Sequence, residues 1–509
     1  MQSHRSLEDS DQLLEIVDTF REKRIPVDAV IYLGTGFCPR GWNTPQPSLD
    51  FSPIVFAGDP AAVIDQLHDR HVKVVMHIVP WDRDRLPTLQ GTIPPRPGET
   101  IDDSHIQNYW QQHVALFAAG VDAFWPDEGD WFNLFERIKR HQLYYEGPLS
   151  TRSDVRPWSL HRNGYLGIAR WGGWVWSGDT DSSWKTLESQ IAVGINHSLS
   201  LSPYWGTDIG GFFPNEELTG ELYARWFQFG AFCPSFRSHG RTWWTRLPWG
   251  WGLSDIGPRE SQRNPLESEL NNPAIEPICK KYGELRYQLL PYNYTLAWQA
   301  RDTGLPPIRA MWLHYPDDAR CRELGNQYLW GRDLLVAPVF KPGATTRDVY
   351  LPKGDWYDFW TNEKISGGRT ITRPVDLATM PIFVRAGAIL PLDRHVLVNH
   401  ADAAFLRQRD RHRALGHGVH RRAEDRNVDR DAVGEPGADF DLGGHDGAIA
   451  WLDEHVVEGQ SGAGEFVGQV VGDLFDVSQV HDAATSCSER GRNLVNPVIS
   501  PMRRAAFKA

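Results

Sequence analysis

Helix-like and strand-like segments alternate along the first half of this chain, and that alternation is what most limits the folds open to it. Leu7 to Phe20 carries apolar residues at helical spacing, and Val27 to Leu33 (VDAVIYL) is a β-rich apolar run ending at Gly34. Pro60 to Arg70 reads as helix and Val72 to Val79 (VKVVMHIV) as strand; Ser104 to Ala119 reads as a helix leading into the aromatic run Val121 to Trp125. Short apolar runs follow at Arg156 to His161, Trp174 to Trp176, Leu199 to Trp205 and Phe229 to Ser235, each trailed by polar or Gly-rich sequence. Strands joined through helices pair in parallel. The seven candidates are one short of a (β/α)8 TIM-type barrel.

In such a barrel the residues just past the strands converge on one face. The run Val121 to Trp125 breaks at Pro126 into Asp127, Glu128 and Asp130, flanked by Trp125 and Trp131. Alone, an acid there is more often a helix cap or a solvated loop residue. The later runs add Arg162, then Asp179 and Asp181, then Asp208 and Phe212, then Arg237, His239 and Arg241. Two carboxylates from different strands, meeting an Arg, a His and several Trp, are what a retaining glycosidase needs.

Composition narrows the remaining classes. The net charge is -12 without a dense Lys/Arg stripe, which argues against nucleic acid or an anionic membrane as partner. No apolar run approaches the ~20 residues of a bilayer span. The polar stretch Met1 to Arg24 lacks a signal-peptide core, so the expected location is cytoplasmic. The five cysteines are widely spaced, with no CxxC pair or His cluster, and are expected as buried free thiols.

Four blocks together resemble glycoside hydrolase family 31: WPDEGD from Trp125, RNGYLGIARWGGWVWSGDTDSSW from Arg162, YWGTDIGGF from Tyr204 and RWFQFGAFCPSFRSHGR from Arg225. The similarity runs from Gln2 to about Asp393. It implies α-glycosidase or transglycosidase chemistry on a carbohydrate without metal or cofactor. Asp127 would be the nucleophile and Asp179, seventeen residues after Arg162, the general acid/base. Arg162 and His239 would bind sugar hydroxyls, Trp125, Trp176 and Phe212 would wall the subsite, and Asp208 would support it. The physical account agrees, since the negative charge of Asp127 and burial among Trp side chains should raise Asp179.

Other residues have plainer readings. Asp122 opens its strand and belongs to the opposite, stability face. Glu128 and Asp130 read as loop acids that cap the next helix or bond neighbours, and Asp181 as an N-cap for a helix from Ser182 to Val193. His239 alone would pass for a structural histidine. Trp243, Trp244, Trp249 and Trp251 fit outer sugar platforms or a packed loop.

Three departures from the family stand out. LGTGF, with Gly34 and Gly36, replaces an acid expected to bind the far end of the cleaved sugar, which favours a differently substituted sugar or an acid from another loop. Met1 to Arg5 resembles the end of the first barrel strand, so that strand and a preceding β-sandwich are expected to be missing. Past Arg394 only Trp451 remains of the 22 Trp, no Tyr occurs, and RQRDRHRALGHGVHRRAEDRNVDRD has no apolar period. The expected domains are a barrel over 1–308, an all-β sandwich over 309–393 and an anomalous tail over 394–509, disordered or frame-shifted. The function expected is a retaining α-glycoside hydrolase releasing a terminal sugar. A transglycosidase using the same acids, or a silent carbohydrate-binding protein, is the alternative; oligomeric state is unknown.

Overall fold

A computed structural model of the chain describes residues 1–4, 9–32, 47, 49–83, 85, 89, 91–93, 95, 99–200, 202–240, 244–253, 269 and 272–393. The expected tail over 394–509 lies outside them.

Eight strands form one parallel sheet: β1 (Gln2–His4), β2 (Ala29–Tyr32), β3 (Lys73–Ile78), β4 (Ala123–Pro126), β5 (Leu160–His161), β6 (Trp174–Trp176), β7 (Trp205–Ile209) and β8 (Ser235–Ser238). Their order is β4-β3-β2-β1-β8-β7-β6-β5, and a parallel bridge from Phe124 to Ser159 brings the two ends together. The sheet is therefore a TIM-type barrel with all eight strands. The expectation of a missing first strand was wrong. Gln2–His4 pairs with Val30 to Tyr32 on one side and Ser238 on the other. Three residues are too short to show a strand period, and only the resemblance of Met1 to Arg5 to a strand end marked the element in the sequence.

Helices α1 (Ser10–Glu22), α2 (Pro60–Asp69), α3 (Asp103–Gln111), α4 (Val114–Ala118), α5 (Leu134–Thr151), α6 (Trp184–Ser200) and α7 (Gly220–Gly230) lie between the strands. Two expected strands were misplaced. Leu199 and Ser200 are the end of α6 and β7 begins only at Trp205, while Phe229 to Ser235 begins as the end of α7. The end of α7 is buried on every side and so reads as a continuous apolar run, just as a parallel strand does. Small residues make room inside the barrel: Ala29 and Ala123 share its core with Ile31, Val75, Leu160, Trp125 and Trp176. At Gly206 a Cβ would fall 2.4 Å from the Ser235 carbonyl oxygen, so only glycine lets β7 approach β8 at this register.

After the barrel strands come a hairpin of β9 (Trp244–Leu247) and β10 (Gly250–Leu253), then α8 (Ile275–Gln288) and α9 (Leu290–Thr303). Beyond Arg309 the structure is antiparallel. Strands β11 (Ile308–Arg309), β12 (Tyr328–Trp330), β13 (Leu334–Val336), β18 (Ile382–Arg385), β15 (Asp355–Asp358) and β16 (Lys364–Ser366) form a six-stranded sheet in that order. β14 (Thr346–Leu351) pairs with β17 (Arg369–Pro374) in a second sheet. Leu335, Val349, Leu351, Trp356 and Phe383 from both sheets share one core. Cys233, Cys279 and Cys321 are buried free thiols, as expected.

The β-region is held to the barrel through α7. Arg225, 1 % exposed, donates to the carbonyls of Thr379 at 2.9 Å and Asp376 at 2.8 Å, and Gln228 donates to that of Leu377 at 2.7 Å. Burial opposes the charge on Arg225. Its carbonyl partners offset that cost, and losing the guanidinium leaves partly buried acceptors unpaired. Arg225→Met should therefore lower stability by about 3 kcal/mol, and Gln228→Ala by less. Thermal unfolding measures both; unchanged midpoints would mean the clamp carries no stability.

Candidate active site

Residues in or just past the C-terminal ends of six strands, β3 to β8, build the site. Pro126 ends β4, but the Asp127 N–H still donates to the Ile78 carbonyl at 2.8 Å, so Asp127 is fixed as the next rung beside β3. The chain then turns sharply, with Glu128 at φ 59° and Gly129 at φ 79°, a left-handed conformation that costs a non-glycine residue energy. Surrounding contacts over-determine the turn. Arg140 on α5 donates to the Glu128 carbonyl at 2.7 Å, Asn163 donates to that of Gly129 at 3.1 Å, and Trp81 donates to the Glu128 carboxylate at 3.0 Å. Asn133 and Glu136 form a capping box that starts α5 immediately afterwards. Glu128 and Asp130 thus bond neighbours, and neither caps the helix.

The Asp127 carboxylate accepts three hydrogen bonds. Oδ1 takes the Glu128 N–H at 2.7 Å and Arg162 at 3.3 Å, and Oδ2 takes His77 Nε2 at 2.9 Å. Arg162, just past β5, reaches Asp179 Oδ1 with the same nitrogen at 3.1 Å and Asp130 with Nε at 3.1 Å. One guanidinium therefore joins three carboxylates. The contacts of 3.3 and 3.1 Å cap the Oδ1 to Oδ1 separation of Asp127 and Asp179 at their sum.

Deeper in the barrel lies a second pair. Asp208 in β7 and Arg237 in β8 are register partners and form a fully buried ion pair. Both sit within strands, not in the loops where the sequence pattern put them. The Arg237 guanidinium lies 4.4 Å from the Trp125 ring and 5.2 Å from that of Trp176. Trp125 packs edge-on against Trp176 at 5.2 Å and against His239 at 5.0 Å, and Phe212 stacks on His239 at 5.4 Å. All eight residues expected at the site, Asp127, Asp179, Arg162, His239, Trp125, Trp176, Phe212 and Asp208, thus fall in one connected cluster.

Two contributors escaped the sequence reading. His77, inside the apolar run of β3, carried a signal only as the one ring nitrogen donor in that strand. Arg246, on the hairpin that follows β8, bonds the carbonyls of Gly211, His239 at 3.2 Å and Phe212 at 3.3 Å. Asp181 does not cap α6, which starts at Trp184; the Ser183 hydroxyl accepts from Thr186 N–H instead, and Asp181 bridges to Phe213. Asp122 lies at the other end of β4, bonded to His68, Lys73 and the Val74 N–H, as expected. Trp249 packs on Phe20 at 4.7 Å, which favours the packed-loop reading for it. Gly34, Gly36, Arg241, Trp243 and the side chains of Trp244 and Trp251 lie outside the described residues.

Environment separates the carboxylates. Burial raises Asp127, but the His77 bond, Arg162 and the Glu128 N–H outweigh it and hold the carboxyl well below the usual range. Burial raises Asp179 as well; Arg162 opposes and Asp127 adds to the rise, leaving it above its ordinary value. Burial lifts Asp208 to about 6 against the pull of Arg237. Arg162 is pushed up by its three carboxylates despite burial. Two neighbouring acids with pKa values driven apart suit one ionised and one proton-carrying role. Among the described residues no group of three or more His, Cys, Asp or Glu is arranged to hold a metal ion, and no helix is long and apolar enough to cross a membrane.

Comparison with known proteins fits this arrangement. Residues 1–296 match the family model of the glycosyl hydrolases family 31 TIM-barrel domain, and residues 304–390 that of the family 31 C-terminal domain. The chain belongs to glycoside hydrolase family 31. An α-xylosidase of Saccharolobus solfataricus is 31 % identical over 430 residues, covering 77 % of this chain and 55 % of the relative. An α-glucosidase 2 of Bacillus thermoamyloliquefaciens is 31 % identical over 445 residues, covering 77 % and 52 %. A solved family 31 dextranase of Flavobacterium johnsoniae, complexed with glucose, superposes with a TM-score of 0.65 at 28 % identity, over 77 % of this chain and 52 % of that one. The chain spans about half the length of the curated relatives it matches.

The coupling between the two acids has a sign that can be checked. Asp127→Asn removes a negative charge that favours protonation of Asp179, so the Asp179 titration should move to lower pH. Carboxyl-carbon NMR on the folded variant reads it; a midpoint unchanged from the wild type would show that the acids are not coupled.

Proposed function

We propose that this family 31 chain is a retaining α-glycoside hydrolase that releases a terminal sugar by double displacement. Asp127 attacks the anomeric carbon, and Asp179 protonates the leaving oxygen and then deprotonates the incoming water. The observation that carries the reading is the single Arg162 nitrogen shared by both carboxylates. It keeps their nearest oxygens closer than the roughly 6.5 Å at which the spacing of inverting enzymes begins. The pKa directions agree with the division of labour, since a nucleophile must be ionised and a general acid protonated.

The surroundings favour a sugar. Trp125, Trp176 and Phe212 offer ring faces and edges, and His239 stands among them. Asp208 Oδ2, Arg237 Nη1, Trp125 Nε1 and Trp176 Nε1 are buried without a protein partner among the described residues. Buried polar atoms are normally satisfied. Donors and acceptors mixed in one aromatic cluster match a ligand dense in hydroxyls.

A panel of aryl α-glycosides (glucoside, xyloside, galactoside, N-acetylgalactosaminide) identifies the sugar, and product analysis at high acceptor concentration separates hydrolysis from transfer. On the substrate so found, Asp127→Ala should abolish turnover. Asp179→Ala should spare an activated aryl glycoside far more than an unactivated disaccharide. Azide should rescue Asp179→Ala and yield the α-glycosyl azide. A β-glycosyl azide from that variant, or equal loss on both substrates, would overturn the assignment of roles.

A further inference from the structure

His77 is buried in β3 at the rung beside Trp125, its ring edge-on to that indole at 4.7 Å, and its Nε2 lies 2.9 Å from Asp127 Oδ2. Asp127 is ionised, so a nitrogen at that distance must carry the hydrogen and donate it. The two oxygens of Asp127 are not equivalent. Among the described residues, Oδ1 accepts from both the Glu128 N–H and Arg162, which occupies its two lone pairs, whereas Oδ2 accepts only from His77 and keeps one pair open.

We infer that Oδ2 is the oxygen that bonds the sugar, and that His77 is the positioning residue that holds it and receives it back when the glycosyl-enzyme breaks down. The inference rests on the reading of Asp127 as the nucleophile. In the first step the free pair on Oδ2 forms the bond to the anomeric carbon as the leaving oxygen departs with the proton of Asp179. In the second, water loses a proton to Asp179 and its oxygen bonds the anomeric carbon; the carbon to Oδ2 bond breaks, and its electron pair returns to Oδ2. His77 transfers no proton. Its N–H bonds weakly to an ester oxygen and strongly to a carboxylate, so it favours the second step, in which charge returns to Oδ2, over the first, in which charge leaves it.

The consequence is a split between kinetic constants that lost packing alone does not produce. With the 4-nitrophenyl α-glycoside that the panel finds active, His77→Ala should lower kcat ~10- to 100-fold, the range for a hydrogen bond to a charged group. KM should fall with it, so that kcat/KM changes much less, because the glycosyl-enzyme now accumulates. Stopped-flow mixing should show a burst of nitrophenol near one equivalent. His77→Gln, whose amide nitrogen reaches the place of Nε2, should restore most of kcat and remove the burst. Wild-type protein labelled with the matching 5-fluoroglycosyl fluoride and digested for mass spectrometry tests the underlying reading separately. No adduct on Asp127 would overturn the nucleophile assignment and this inference with it. An adduct on Asp127, together with kcat and kcat/KM falling alike in both variants or not changing at all, would overturn the role of His77 alone.

Discussion

Like charges crowd one end of this barrel, and the guanidinium of Arg162 is what lets them stay. Two carboxylates 5 Å apart repel by about 3 kcal/mol at an effective dielectric near 20, and the pocket holds three, Asp127, Asp179 and Asp130, each in contact with the same cation. The cation stands where β5 ends, between the strands that carry the two acids. Barrel closure and site assembly are therefore one problem, because Arg162 can touch both acids only if β4 and β6 are held on either side of β5.

The aromatic cluster beneath follows a related logic. Asp208 and Arg237 are taken fully out of water, a placement that costs more than it returns unless every partner is in position. Their register across β7 and β8 supplies one partner, and the faces of Trp125 and Trp176 supply a second interaction for the cation. Gly206 permits the close approach of the strands that this pairing needs. Polar groups at the floor are thereby held by backbone geometry, with little freedom to adapt to a misplaced ligand.

Much of this was legible in the sequence because breaks from apolar to polar residues mark strand ends. Asp127 after Pro126 and Asp179 after Trp176 were read from such breaks, and the loop face of a barrel brings them together. What resisted reading has physical causes. β1 spans three residues and shows no period. The end of α7 is buried all round and imitates a strand, and the apolar Leu199 at the end of α6 drew the next strand too early. Asp208 and Arg237 point inward from within strands, so the rule that function follows strand ends put them a few residues too late. His77 stood in a run that is apolar on both faces, where a parallel strand has no alternation to betray an inward polar residue. Arg246 acts from a hairpin outside the repeating pattern, and its carbonyl targets leave no mark on composition.

Arg246 also constrains how the pocket can diverge. Its guanidinium bonds carbonyls of Gly211 and Phe212 on one loop and of His239 on the next, so the two backbones are stapled to each other through a third segment. A drift of either loop would break bonds on both. Phe212 and His239 therefore stand on a shared rigid frame. Relatives of this chain that keep the staple can reshape this wall by exchanging side chains, whereas inserting or deleting residues in either loop would first require them to give up the arginine.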